Sequence, residues 1–254
     1  MTTWISHRGF CGKPNEAQNT ENTAEAFHAA IEFGFDHLET DLRTTEDGHI
    51  VLCHDPDLNR VSGSTRAIHE MSRKELANER LLHGERLLFF DQFLEHFSHL
   101  NWILDIKPEH ASRTIEVLST WSRDPAVAEF LANRARYLFW DAKHEQHLTS
   151  ELPDATCLAR DRACYRAGVA SLFGVPTLGN IQAGQAYAVP PRIAGVPILN
   201  ENLVKRFHQQ NAKVIGYLPE TDADHKKALQ ANVDQLLTNH AHLKADSFLL
   251  LGDD

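Results

Sequence analysis

The chain has no run of 18 apolar residues, so an ordinary membrane-spanning helix is not expected. Its four cysteines, Cys11, Cys53, Cys157 and Cys164, include no pair at the close spacing of a zinc knuckle. They read as reduced thiols of a cytoplasmic protein. No glycine-rich nucleotide-binding turn follows the first strand candidate, and there is no Walker loop and no serine elbow. Basic charge is also short, with 25 Lys and Arg against 35 Asp and Glu and a formal net charge of −10. Such a chain repels phosphate backbones, which excludes nucleic acid as a general partner. A small anion can still bind where a metal or a local basic group reverses the sign. The opening Met1-Thr2-Thr3-Trp4-Ile5-Ser6 has no basic-then-apolar leader, in keeping with a cytoplasmic location.

What is present is enough apolar matter for a full core: 42% hydrophobic residues in a chain of 254. Short β-rich runs alternate with helical patterns. The strand candidates are Trp4–Ser6, His37–Leu42, Trp102–Ile106, Arg136–Trp140, Thr156–Ala159, Tyr187–Val189, Val214–Leu218 and Asp234–Thr238. Asn22-Thr23-Ala24-Glu25 reads as a capping box with Asn22 as cap, and Gly34 as the helix stop. Apolar spacing predicts further helices over 111–121 and 200–210, and a Thr221 cap with Asp224 in the first turn predicts a more polar one over 221–231. Strand–helix alternation argues for parallel strands with helical crossovers. Eight units at this length predict an α/β fold, a (β/α)8 TIM barrel, forming a single catalytic domain over 1–254. Residues 56–100, approximately, do not fit one strand–helix unit and read as a small rim insertion after the second strand. Within it, Phe89, Phe90, Phe93, Leu94 and Phe97 form a helix-spaced apolar cluster: core, or a lipid-facing patch if exposed. The tail Phe248–Leu251 is expected to pack as a C-terminal segment.

Four short segments carry chemistry: His7-Arg8-Gly9, Glu39-Thr40-Asp41, His54-Asp55 and Asp105-Ile106-Lys107. All fall at or just beyond the C-terminal ends of early strands, the face where barrel active sites sit. Side chains alternate along a strand, so Glu39 and Asp41 share a face, as do Asp105 and Lys107. With Leu38 and Leu42 toward the helices, the two acids point into the barrel. Two inward carboxylates repel unless a cation joins them, and oxygen ligands suit a hard divalent ion such as Mg²⁺ or Ca²⁺. Acids for a metal, cations for an anion and two imidazoles for proton transfer suit phosphoryl transfer.

These segments resemble the glycerophosphodiester phosphodiesterase family, which is related to the sphingomyelinase D-like barrels. The matching text is His7-Arg8-Gly9, Glu21-Asn22-Thr23, Ala26-Phe27, Ala30, Gly34, Leu38-Glu39-Thr40-Asp41-Leu42, Thr44-Thr45-Glu46-Asp47-Gly48, Val51, His54-Asp55, Leu58 and Arg60. A weaker match returns at Val233-Asp234 and Leu236-Leu237-Thr238-Asn239. The resemblance implies a barrel enzyme that hydrolyses a glycerophosphodiester to an alcohol and glycerol 3-phosphate with a divalent metal, Mg²⁺ or Ca²⁺, with Mn²⁺ also suitable. It implies Glu39, Asp41 and Asp105 as metal ligands, His7 and His54 as the acid–base pair, and Arg8 and Lys107 on the substrate phosphate. Glu21, Asn22 and Asp55 would shape the loops, Asn22 also being placed to approach metal or phosphate. Trp140 and Tyr217 are candidates for the substrate pocket, packing being the plainer role for Trp140.

The chain departs from the family at two points. Asp105 stands where the family has Glu, one methylene longer; the sphingomyelinase D-like barrels carry Asp-x-Lys there. Near the seventh strand, Gly216-Tyr217-Leu218-Pro219-Glu220 replaces the family's Trp followed by Thr. Asp105 and the Phe-rich segment favour, as an alternative, a lipid-directed phosphodiesterase of the sphingomyelinase D or lysophospholipase D type. A non-catalytic barrel that only binds would require a broken acid set or a missing His, and neither is seen.

Overall fold

The computed structural model describes residues 2–13 and 18–245, so the Phe248–Leu251 tail lies outside the described residues. The chain forms two compact units. One contains His7–Glu32 and Asp36–Cys157; the other contains the chain up to Ser6, Phe33–Phe35 and the chain from Leu158 onward.

Eight strands match the expected set: β1 (Thr3–His7), β2 (His37–Thr44), β3 (Asn101–Ile106), β4 (Ala135–Leu138), β5 (Thr156–Cys157), β6 (Ala186–Val189), β7 (Lys213–Tyr217) and β8 (Gln235–Thr238). In the His7–Cys157 unit the parallel order is β5-β4-β3-β2. In the other it is β1-β8-β7-β6, also parallel. β2 is buried along nearly its whole length on both faces, as parallel strands under helices are. β4 and β5 end earlier than the apolar runs suggested, leaving Trp140 and Ala159 beyond them.

The helices follow the sequence spacing, with one correction. The first, α1 (Ala24–Glu32), stops at Gly34, whose φ is +78°. Its cap is Thr23 rather than Asn22: Thr23 Oγ1 accepts from the Ala26 amide at 3.2 Å. Asn22 itself is left-handed, with φ +59°, and its side chain goes to β2 instead. A carboxylate and a hydroxyl in the interior outcompeted the local cap for that amide.

The insertion is shorter than expected. A tight turn through Gly48 (φ +82°) returns Ile50–Leu52 antiparallel to β2. A small hairpin (Asp57–Leu58 with Ser64–Ala67) follows, then a helix, Arg73–Asn78, capped by Ser72. This segment has its own core of Leu58, Val61, Ile68, Met71, Leu76, Leu81 and Leu87. It ends before α2 (Phe90–Phe97), the crossover helix leading into β3. Phe90, Phe93 and Phe97 are buried, with the Phe93 ring edge-on to Trp102 at 4.7 Å. The aromatic cluster is core, and no lipid-facing patch is formed by these rings.

Beyond β3, α3 (Ala111–Trp121) matches the expected span. In the other unit, α4 (Glu201–His208) is capped by Asn200 and buries Leu203, Val204 and Phe207. There too, α5 (Asp222–Gln230) is capped by Thr221, which accepts from the Asp224 amide. All four cysteines are free thiols. Among the described residues no helix is long and apolar enough to cross a membrane.

Candidate active site

The β2–β3 register places Asp41 directly beside Asp105. Glu39 lies two residues back on the same face of β2. All three carboxylates are buried, and one ligand oxygen from each lies within 4.8 Å of the others. Two strands therefore bring together the acids that are 64 residues apart in sequence.

Two cations balance part of this charge. Lys107 Nζ donates to Asp105 Oδ2 at 2.6 Å and lies 2.7 Å from Asp41 Oδ1. Arg8 Nε lies 2.9 Å from Asp41 Oδ2, off hydrogen-bond alignment. Burial would lower Lys107 and Arg8, but the neighbouring carboxylates outweigh it and hold both above their ordinary values. Burial also works to raise Asp41, yet Lys107, Arg8 and the hydrogen bond from Asn22 keep it below the usual range. Glu39 goes the other way: burial first, then Asp41, push its carboxyl well above the usual range. Burial likewise raises Asp105, against the pull of Lys107. Three acids face two cations, and the excess negative charge falls to Glu39, whose ionised form burial and Asp41 disfavour. Its Oε2 has no hydrogen-bond partner among the described residues.

His7 Nε2 stands 3.6 Å from Glu39 Oε2. The loop after β1 is set by backbone bonds: the Arg8 amide donates to Glu39 O at 3.1 Å, and Arg8 O accepts from the Asn22 amide at 3.0 Å. Arg8 is left-handed, φ +57°, a conformation costing a non-glycine residue about 1–2 kcal/mol. Gly9 follows at φ +84°, where a Cβ would lie 2.6 Å from the Ala26 carbonyl carbon. Asn22 Nδ2 donates to Asp41 Oδ2 at 2.8 Å while its Oδ1 accepts from Thr40 Oγ1 at 2.7 Å. Asn22 thus orients Asp41 and shapes the loop.

His54 is more exposed than His7, and its Nδ1 contacts Asp55 Oδ1 at 2.7 Å, which orients the ring. A chain of charges joins it to the acid cluster. Arg60 donates to Asp55 Oδ2 at 2.6 Å and to both oxygens of Glu21 at 2.7 and 2.9 Å, and Arg8 donates to Glu21 at 3.2 Å. Burial would raise Glu21 and Asp55, but hydrogen bonds from Arg60 to Glu21 and from His54 and Arg60 to Asp55 hold both below the usual range. Sequence reasoning gave Arg60 no role; its position six residues past His54, in a loop already rich in acids, was the available signal. Arg43, whose guanidinium reaches the His54 backbone, was also missed.

Trp140 differs from a plain packing residue. It is exposed, yet its Nε1 donates to Asp105 Oδ1 at 2.9 Å, and Lys107 Nζ lies 5.4 Å from its ring centre. Tyr217 ends β7 in the other unit and is partly exposed.

Known proteins share this architecture. A glycerophosphodiester phosphodiesterase of Agrobacterium tumefaciens superposes with a TM-score of 0.71 at 19% identity, over 97% of this chain and 100% of that one. A glycerophosphoryl diester phosphodiesterase domain of Mycobacterium tuberculosis does so with a TM-score of 0.76 at 15% identity, over 97% and 99%. At such identities the likeness speaks for the fold, and it bears out the (β/α)8 class. In sequence, a probable glycerophosphodiester phosphodiesterase of Mycobacterium tuberculosis is 25% identical over 98% of this chain and 91% of its own length. A human lysophospholipase D is 40% identical over 76 residues, 30% of this chain and 23% of that protein. The model of the glycerophosphoryl diester phosphodiesterase family matches residues 7–243, from His7 to the last described helix, and the chain belongs to that family.

Proposed function

We propose that the protein hydrolyses glycerophosphodiesters to an alcohol and glycerol 3-phosphate, with a divalent cation held by Glu39, Asp41 and Asp105. The observation that carries this reading is the convergence of three buried carboxylates with one acid in excess over Arg8 and Lys107. The donor set fits a hard ion: all ligands are oxygens, and the buried Glu39 Oε2 lacks a hydrogen-bond partner among the described residues. When bound, Mg²⁺, Ca²⁺ or Mn²⁺ would neutralise charge developing on the phosphate.

Arg8 and Lys107 supply positive charge for the phosphate, and Trp140, beside Asp105 and Lys107, an aromatic wall for the substrate. His7, nearly buried against Glu39, takes the proton of the nucleophile, which is water or the substrate's neighbouring hydroxyl. His54, exposed and oriented by Asp55, gives a proton to the leaving alkoxide as its P–O bond breaks. An alkoxide leaving group has a high pKa, so this proton matters. Glu21, Asn22 and Asp55 hold the two catalytic loops in register.

A lipid-directed activity loses one of its supports, because the Phe-rich segment is core. Turnover of glycerophosphocholine against lysophosphatidylcholine separates the two readings, with the former expected to dominate. Chelation should abolish turnover and Mg²⁺, Mn²⁺ or Ca²⁺ restore it; full activity in metal-free buffer would overturn the metal. His7→Ala and His54→Ala should each cut turnover by about 10² to 10⁴. A p-nitrophenyl leaving group needs no proton and should rescue His54→Ala selectively.

A further inference from the structure

Arg43 lies two residues past Asp41 on the same strand, and it is buried. Its guanidinium reaches the loop that carries His54. Nε and Nη2 both donate to the His54 carbonyl oxygen, at 3.0 and 2.6 Å, while Nη1 donates to Glu109 Oε2 at 3.0 Å. Glu109 in turn follows Lys107 by two residues, just beyond the end of β3.

This arrangement fixes more than a loop end. A carbonyl that receives two donors from one planar group is set in both place and direction, which a lysine ammonium cannot reproduce. Arg43 and Glu109 line a small pocket together with Thr44, Pro56, Ile68, His69 and His110. A further anchor of the loop is again β2, through the Cys53 amide on Asp41 O at 3.0 Å. The strand that presents Glu39 and Asp41 thus also sets where the backbone of His54 stands relative to them.

We infer that Arg43, braced by Glu109, is a positioning residue that holds His54 at its working distance from the acid cluster. The inference rests on the role proposed above for His54 as a proton carrier. A displacement of about 1 Å in a reacting geometry can cost on the order of 100-fold in rate. Arg43→Gln should therefore lower kcat for glycerophosphocholine by roughly 10- to 100-fold while KM moves less than about 3-fold. Glu109→Gln should lower kcat less, and Arg43→Lys, with a single point of contact, should fall between.

A double-mutant cycle tests this directly. If Arg43 acts through His54, Arg43→Gln in a His54→Ala background should cost less than about 2-fold more. An equal fall in both backgrounds means that Arg43 acts elsewhere and overturns the inference, as does an unchanged kcat in Arg43→Gln alone. Near-normal turnover in His54→Ala is a different failure: it removes the role of His54, and the inference with it. Thermal melts establish that each variant is folded. If Arg43→Gln does not fold, Arg43→Lys and Glu109→Gln are run through the same cycle, with the same two outcomes deciding.

Discussion

Both oxygens of Asp105 are engaged, Oδ1 by the Trp140 indole and Oδ2 by Lys107. A longer side chain at this position could not keep both donors without shifting one of them, which gives a physical reason for Asp here. Asp105→Asn preserves the shape and removes a charge, so metal affinity should fall and excess metal should partly restore the rate. Asp105→Ala should do worse, since it also leaves Lys107 and Trp140 without their acceptor. Asp105→Glu should be active but impaired, by on the order of 100-fold if the carboxylate moves about 1 Å. Calorimetric titration with Mg²⁺ checks the role: unchanged affinity with lost activity in Asp105→Asn would mean that Asp105 only pairs with Lys107. The same residue illustrates what was legible. Its shared face with Lys107 follows from strand alternation, whereas its bond to Trp140 joins residues 35 positions apart and has no local signal.

At the scale of elements, the loop after β1 has the narrowest tolerance. Gly9 combines a left-handed backbone with an approach to α1 that leaves no room for a Cβ. Gly9→Ala meets backbone atoms of Ala26, so the helix itself must move. A loss of at least about 2 kcal/mol is expected, with a melting temperature lower by roughly 4–8 °C. Differential scanning calorimetry measures it, and a change under 1 °C would show that the loop relaxes freely. The helix cap belongs to the same scale. Asn22 followed by Thr23, Ala24 and Glu25 looks like a capping box in isolation, but Thr23 serves as the cap because Thr40 and Asp41 claim the Asn22 amide.

For the whole molecule, acid should be the weak side. Burial tends to raise Glu85, but its carboxylate accepts from the Thr20 amide at 2.7 Å and from the Thr20 hydroxyl at 2.9 Å, and it lies below its ordinary value. Glu21 and Asp55 are lowered as well. A carboxylate lowered in the folded state is bound to more protons when unfolded. Its contribution is present above the ordinary carboxylate range and is lost as pH falls through the folded value. Urea melts should therefore show stability falling steeply from about pH 5 to pH 3. Glu85→Gln should be less stable than wild type by about 1–3 kcal/mol at pH 7, with the gap closing at pH 3. A gap independent of pH would remove the carboxylate charge from the account. Glu39 and Asp105, being raised, run in the opposite sense without metal, losing their contribution as pH rises.

The sequence by itself determined the order and type of the eight strands, the shared face of Glu39 and Asp41, and the approximate spans of four helices, because these depend on alternation and spacing within a few residues. It also carried the family text around His7, Glu39 and His54. Only tertiary structure decided that Asp41 stands beside Asp105, since that depends on the register between β2 and β3 across an intervening insertion. Where the insertion ends was decided the same way, by α2 packing its phenylalanines on Trp102. So were the partners of Asn22, Trp140 and Arg43. A polar side chain with several acceptors within reach is settled by whichever buried group has most to lose unpaired, and that competition is visible only once the distant strands are side by side.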